Sequence, residues 1–335
     1  SYVAKVWAIN DYGNGPLSDA TSSFTPIAAS VGLFMAGYVG SGPVNIVDKI
    51  VPETAGNAVD FGDTSATKYS GAGFSSDTRS IVAGGYGPSV ALNVIEYFTF
   101  ASAGNATDFG DLSSTAYVSA GFSNNVRGVI ALGYSGGYVN TLEYVTIAST
   151  GNATDFGDAS VAERGFAGGL ASTTRGVFGG GENSGKTNVI DYVTIASVGN
   201  ATDFGDLTEA RYGPAGASSN TRGIFGGSGS GTYGNVIDYI TIASTGNAID
   251  FGDTLEVRDM LAGLANSTKA IFGGGRNDSG GSTTIQQVTI ATTGDATDFG
   301  DLTAAKSFSA GACSGADAVQ NEADFAPAAI GLFGG

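Results

Sequence analysis

The sequence predicts an all-β protein, and three observations carry that expectation. A block of 47 or 48 residues recurs along the chain, marked by GNAVDFGD, GNATDFGD (three times), GNAIDFGD and GDATDFGD. Each block holds four runs rich in Val, Ile, Thr, Tyr and Phe, bounded by Gly, Asn and Ser, which are strand and turn signals. No segment shows a sustained 3.6-residue apolar period with a helix cap. Four strands in about 45 residues is the arithmetic of a propeller blade.

The period is kept by two motifs. The motif phenylalanines Phe61, Phe109, Phe156, Phe204, Phe251 and Phe299 are spaced 48, 47, 48, 47 and 48 apart. RSIVAGG, RGVIALG, RGVFGGG, RGIFGGS and KAIFGGG follow the same beat from Arg79, Arg127, Arg175, Arg222 and Lys269. A truncated copy, VGLFMAG, starts at Val31, and IGLFGG closes the chain from Ile330. In the block that starts at Phe166, FAGGLAS reads as a first strand of alternating small and apolar residues. RGVFGGG is the second strand, NVIDYVTIAS the third after a variable glycine-rich loop, and GNATDFGDLT the fourth. The first block begins at its second strand. The first strand it lacks is available in residues 307–314, so both chain ends share one blade and six blades are expected. Residues 330–335 are then one strand too many.

The unit resembles a divergent kelch repeat over residues 31–335. The second strand ends in a double glycine (Gly179–Gly180, Gly226–Gly227, Gly273–Gly274), and the third carries an aromatic (Tyr97, Tyr144, Tyr192, Tyr239). A large aromatic sits on the fourth, and a basic residue follows it at Lys68, Arg164, Arg211, Arg258 and Lys306. Kelch repeats usually carry tryptophan where this chain has phenylalanine. The first block lacks the tyrosine, and the sixth has Gln287 there. The resemblance implies a six-bladed propeller of four-stranded antiparallel blades over residues 28–335. It says little about function. Residues 1–27 alternate polar and apolar around a turn at Gly13–Pro16 and resemble the last two strands of a fibronectin type III domain. Such a hairpin is marginal alone, so the chain is expected to continue a larger protein.

Composition narrows the function classes. The chain has 335 residues, 42% hydrophobic and 13% charged, too apolar for intrinsic disorder. A net charge of −17 leaves no large basic patch for nucleic acid and disfavours an anionic membrane surface. No apolar run reaches the roughly 18 residues of a spanning helix, and no signal-peptide pattern opens the sequence. Histidine is absent, which removes His-based triads and the commonest zinc ligand. Cys313 is the sole cysteine, so no internal disulfide or Cys-rich metal site forms. No cofactor or metal site is expected.

Two readings of the repeated carboxylates compete. Asp155 and Asp158, with Asn152 nearby, are of the type that ligates calcium or serves as a glycosidase pair. Alternatively, Asn and Asp satisfy backbone donors at turns while the phenylalanine fills space between blades. Six equal copies favour the structural reading, because a catalytic pair is needed once. Ten of the 14 basic residues occupy two repeated positions, which suggests ion pairing within or between blades rather than an anion site. The double glycines are expected to serve close strand packing.

Function is expected where the copies differ. The turns on one face agree closely (SSDT, SNNV, STTT, SSNT, NSTK). The second–third loops on the other differ in length and letters. They carry Tyr38, Tyr86, Tyr134, Tyr138, Glu182, Asn183, Lys186, Tyr233, Arg276, Asn277 and Asp278, the candidate ligand-binding residues. Tyrosine among Gly, Ser and Asn gives adaptable contact area at low entropic cost, suited to a sugar or a protein surface. The sixth first–second turn runs from Gly315 to Ala329, is acidic, and is a candidate clasp of the closure seam or contact with a neighbouring subunit. The GNATDFGDLT-type repeats resemble those of virion structural proteins of tailed phages. That resemblance implies a non-enzymatic tail or fibre component, extracellular on the virion, with other virion subunits and a host-surface glycan or protein as partners. A bacterial secreted or surface adhesin is the alternative. A glycan-degrading propeller enzyme, with carboxylates drawn from Glu182, Asp278, Glu322 and Asp324, is another.

Overall fold

In the computed structural model, residues 9–10, 13–14, 29–160, 164–182, 184–228 and 234–315 are described. All regular structure among them is β, in four antiparallel four-stranded sheets, one seven-stranded sheet and one two-stranded pair. We number the repeating units 1 to 6 and give their strands from first to fourth. Unit 1 is Ala310–Cys313, Gly32–Val39, Gly42–Ile50 and Val59–Lys68. Unit 2 is Ala72–Ser75, Arg79–Ala83, Val94–Thr99 and Thr107–Asp111. Unit 3 is Ala120–Ser123, Arg127–Tyr134, Tyr138–Thr146 and Thr154–Asp158. Unit 4 is Gly168–Ala171, Arg175–Gly179, Val189–Thr194 and Thr202–Asp206.

Units 5 and 6 share one strand. Unit 5 begins Ala215–Ser218, Arg222–Gly226 and Gly234–Thr241. The 17-residue strand Ile249–Ala265 is its fourth strand, then continues as the first strand of unit 6 beside Lys269–Asn277, Gly280–Thr289 and Thr297–Lys306. The two units therefore form a single seven-stranded sheet. In unit 1 the first strand comes from the far end of the described chain: Ala310 pairs with Met35 and Cys313 with Gly32. Of the 1–27 segment, only the pairs Ile9–Asn14 and Asn10–Gly13 are described. The rest of the fibronectin-like stretch, and the strand expected at 330–335, lie outside the described residues.

The first strands approach one another with almost no side chain between them. A Cβ on Gly121 would lie 2.5 Å from the Gly73 carbonyl oxygen, and one on Gly169 would lie 2.6 Å from that of Gly121. The same contact runs from Gly216 to Gly169, Gly263 to Gly216, Gly311 to Gly263 and Gly73 to Gly311, at 2.1–2.5 Å. Six contacts thus return to their starting point. Any side chain at these positions would force neighbouring sheets apart. The double glycines serve close packing, as expected: a Cβ on Gly274 would lie 2.3 Å from the Lys306 carbonyl oxygen and one on Gly226 2.7 Å from the Phe272 ring. Gly180, Gly227 and Gly274 have φ of +70°, +74° and +68°, and they turn the chain out of the second strand.

The GNATDFGD motif joins each unit to the next. The N–H of the last motif aspartate donates to the Asn Oδ1 of the following unit: Asp63 to Asn105, Asp111 to Asn152, Asp158 to Asn200 and Asp206 to Asn247, each at 3.1 Å. Asp301 donates to Asn57 at 3.1 Å, which joins unit 6 to unit 1. In the divergent GDATDFGD copy, Asp295 Oδ1 accepts from Asp253 N–H at 3.0 Å. Only the acceptor oxygen is used, so aspartate replaces asparagine there. A backbone bond reinforces each link, as from Ala153 N–H to the Asp111 carbonyl at 2.8 Å. The motif phenylalanines are 2% exposed. Four of them meet the third-strand tyrosine of their own unit edge to face, at 5.9–6.1 Å.

The two sets of repeated cations are spent differently. Arg79, Arg127, Arg175 and Arg222 lie over Tyr97, Tyr144, Tyr192 and Tyr239 at 4.2–4.6 Å. Each also donates to a carbonyl of the next unit, at Ile147, Ile195, Ile242 and Ile290. The ion pairing expected of this ring is therefore replaced by ring and carbonyl contacts. The second set does make buried pairs across junctions. Lys68 meets Glu96 at 2.5 Å, Arg164 meets Asp191 at 2.7 Å, Arg211 meets Asp238 at 2.6 Å and Lys306 meets Asp48 at 2.9 Å. Burial lowers the pKa of Arg164, with Asp191 opposing. Burial raises that of Asp191, with Arg164 opposing. Removing one partner of such a pair leaves a buried charge uncompensated.

Two outcomes follow for stability. Asn152→Ala removes the acceptor for Asp111 N–H and is expected to lower the unfolding free energy by about 1 kcal/mol in urea denaturation. Asn152→Asp, which keeps the oxygen, should lose less. Arg211→Met strands Asp238 and is expected to cost about 3–5 kcal/mol. Adding Asp238→Asn should restore part of that loss, and a double mutant no more stable than Arg211→Met would contradict the pairing.

Candidate binding site

The face that carries the second–third loops is built from two positions per unit. The first lies three residues before the first strand in units 1 to 5, at Ser307, Tyr69, Tyr117, Gly165 and Tyr212, and within the long strand, at Asp259, in unit 6. The second is the residue that pairs with it at the end of the second strand. Those pairs are Tyr38–Ser307, Tyr69–Tyr86, Tyr117–Tyr134, Gly165–Glu182 and Asp259–Arg276.

Immediately after the first position, the chain takes a left-handed conformation in every unit. Ser70, Val118, Phe166, Met260 and Phe308 have φ of +54° to +59°, and Gly213 has +67°. This is costly for ordinary residues and most of all for a β-branched valine. The bend aims their N–H groups at the neighbouring unit. Ser70 donates to the Phe308 carbonyl, Val118 to Ser70, Phe166 to Val118, Gly213 to Phe166 and Phe308 to Met260, at 2.8–3.1 Å. Their side chains and neighbours line a cavity of about 90 Å³.

Outside this rim runs an arc of tyrosines. Tyr38 and Tyr69 have ring centroids 5.3 Å apart, followed by Tyr69–Tyr86 at 5.7 Å and Tyr86–Tyr117 at 5.0 Å. Tyr117–Tyr134 and Tyr134–Tyr138 follow at 5.4 Å each. Six rings thus touch in sequence across units 1, 2 and 3. All six are partly exposed. Tyr69 also meets Phe308 on the rim at 5.6 Å.

The remaining half of the face is charged. Arg276 donates to Asp259 Oδ1 at 3.0 Å and lies over the Phe308 ring at 4.6 Å. Tyr212 donates its hydroxyl to Asp259 Oδ2 at 2.8 Å. Lys186 lies over the Tyr212 ring at 4.9 Å, and Phe166 packs against that ring at 5.8 Å. Tyr69, Tyr117, Tyr138 and Tyr212 have raised pKa values. Burial raises the pKa of Tyr69, helped by Tyr86, Tyr117 and Tyr38 and opposed by Arg276. Burial and then Tyr134 and Tyr86 do the same for Tyr117. Burial and then Glu182 raise Tyr138. Tyr212 is pushed up to about 12 by burial and its bond to Asp259, with Arg276 opposing. Such hydroxyls act as hydrogen-bond partners rather than as bases.

Of the residues singled out from the sequence, Tyr38, Tyr86, Tyr134 and Tyr138 come together in the arc. Glu182 lies next to its Tyr138 end, while Lys186 and Arg276 sit in the charged half. Asn277 is taken up by its own turn, accepting from Ser279 N–H at 2.9 Å. Asp278 is exposed. Asn183 and Tyr233 lie outside the described residues, as do Glu322, Asp324 and nearly all of the 315–329 turn. Sequence reasoning missed Tyr69, Tyr117, Tyr212, Asp259 and Phe308. A signal existed: tyrosine recurs directly after the second basic position or its equivalent, in Lys68–Tyr69, Ala116–Tyr117 and Arg211–Tyr212. Among the described residues, no three acidic or sulfur-bearing side chains converge to hold a metal. No protein-family model matches the chain, and no curated protein matches it.

The Asp259 contact gives a pH signature. The folded-state pKa of Tyr212 lies above the value of about 10 for an exposed tyrosine. Its contribution to stability is therefore complete below that pH and lost as pH rises toward the folded value. Ultraviolet titration should show one phenol ionising near pH 12 that is missing in Tyr212→Phe. If the phenol missing in Tyr212→Phe were instead one ionising at about pH 10, the ordinary value, the Asp259 contact would be contradicted.

Proposed function

We propose that residues 28–335 form a six-bladed kelch-like β-propeller that acts as a non-enzymatic recognition module. On this reading it is displayed on the tail or fibre of a tailed phage and turned toward a host-surface glycan. The propeller reading is supported by the first-strand contacts that return to their start and by the Asp301–Asn57 bond between unit 6 and unit 1. The observation that carries the binding reading is the six-tyrosine arc, which lies on the face where the repeats differ.

Tyrosine suits a sugar. Its ring offers a flat apolar surface to the C–H face of a pyranose, and its hydroxyl both donates and accepts hydrogen bonds. Two side-chain torsions keep the ordering cost low. Arc rings spaced 5.0–5.7 Å apart, continuing into a charged half, fit an extended chain of sugar residues better than a single one. The chemistry is that of a binder. The carboxylates at four junctions are held by cations, and the phenols stay protonated at neutral pH.

The test is calorimetric titration with purified host-envelope polysaccharide while released reducing ends are assayed. Binding without product release is expected. Tyr69→Ala and Tyr117→Ala should each weaken it by about tenfold or more, the loss of about 1.4 kcal/mol. Undiminished affinity in both variants would place the site elsewhere, and steady product release would make the protein a hydrolase.

A further inference from the structure

The six junctions between units are built on one plan, and one of them is incomplete. At each junction the third strand presents an acid or its amide to the preceding unit: Asp48, Glu96, Glu143, Asp191, Asp238 and Gln286. The preceding unit answers with Lys306, Lys68, Ala116, Arg164, Arg211 and Arg258 respectively. Four of these form the buried ion pairs described above. At the junction of units 5 and 6 the acid is replaced by Gln286, and Arg258 turns away to pair with Glu256. At the junction of units 2 and 3 the reverse has happened. The acid remains and the cation is gone, because Ala116 stands where a lysine or arginine stands elsewhere.

Gln286 shows what the position needs structurally. Its Oε1 accepts Leu255 N–H at 2.7 Å, just as Glu96 accepts Ser65 N–H at 2.9 Å and Glu143 accepts Ser113 N–H at 3.2 Å. A neutral amide is sufficient for that bond. At Glu143 a carboxylate is kept where the amide would serve, although among the described residues no cation of the preceding unit answers it. Glu143 is 9% exposed, against 0–1% for the equivalent residues. Among the described residues no donor reaches its second oxygen, and Ser113, Ser114 and Thr115 beside it are exposed.

We propose that the junction of units 2 and 3 is a binding slot for a protonated primary amine, which supplies the charge that Lys68 supplies to Glu96 one junction earlier. The Lys68–Glu96 pair is the template, being the only junction pair built on glutamate. Ala116 retains the Cβ of such a lysine and lacks the three methylenes and the ammonium beyond it. The fitting occupant is therefore a short linear alkylammonium, with its chain along the Ala116 side of the slot and its N–H groups on Glu143. The site is separate from the tyrosine face and stands whether or not that face binds sugar.

The test uses n-propylammonium as the probe, read by backbone amide shifts on the intact chain. Saturable shifts confined to Ser113, Ala116, Glu143 and their neighbours are expected, with tetramethylammonium, which has no N–H donor, giving none. Glu143→Gln should weaken binding by at least about tenfold. Ala116→Lys should abolish it by occupying the slot from within, and it serves as the discriminator if Glu143→Gln does not fold. Lys68→Ala should create a second slot of the same kind at Glu96. No saturable shift in the parent protein, or equal binding in Ala116→Lys, would overturn the proposal.

Discussion

Neighbouring sheets meet through main chain at their first strands, with buried side chains such as Phe122 and Phe178 filling the rest of each junction, and the structure depends on that closeness. The first strands touch at glycine, where a single methyl group would fall 2.1–2.6 Å from the next carbonyl oxygen. The fourth strands are fastened by an aspartate N–H on the asparagine of the following unit. Each bond contributes only about 1 kcal/mol. The fastening works because it is repeated at every junction and is reinforced there by a backbone bond such as Ala153 N–H to the Asp111 carbonyl. The motif that looks most like a catalytic or metal-binding signature thus spends its main-chain amide and its asparagine oxygen on joining units.

The charged residues divide by position. The cations of the second strand stack on tyrosine and bond to carbonyls of the next unit, which leaves a small charged head in a partly buried place without an opposing carboxylate. The cations after the fourth strand go into buried ion pairs, where desolvation weakens both partners. Pairs of that kind fix which surfaces meet more than they add to net stability. The exceptions are informative. Asp295 replaces asparagine where only an oxygen is needed, Gln286 replaces an acid where only an acceptor is needed, and Arg258 leaves when its acid has gone.

The tyrosine face is set by a strained bend. Six consecutive units place a residue at positive φ on the rim, five of them not glycine, and this strain is held by hydrogen bonds to the neighbouring unit. The bend fixes the preceding residue, so that Tyr69 and Tyr117 are held against the second-strand tyrosines of their own units and of the preceding one. That geometry converts tyrosines far apart in the chain into one continuous aromatic surface.

The sequence by itself determined the all-β class, the four-strand unit, its period and the likeness of the six motif copies. Glycine, asparagine and β-branched residues specify turns and strands locally, and a repeat advertises itself by recurrence. It also pointed to the loop face through Tyr38, Tyr86, Tyr134 and Tyr138, because variation among copies within one chain can be read without any structure. Only the tertiary structure decided what each repeated charge touches. Arg79 and Lys68 are both basic residues at a regular spacing, and nothing in their spacing says that one meets a ring and the other a carboxylate of the next unit. Tyr69 and Tyr117 were lost among ordinary strand-flanking aromatics for the same reason. Their neighbours in the arc lie in other strands and other units, and such contacts are settled by how sheets pack, a long-range matter that local chemistry does not encode.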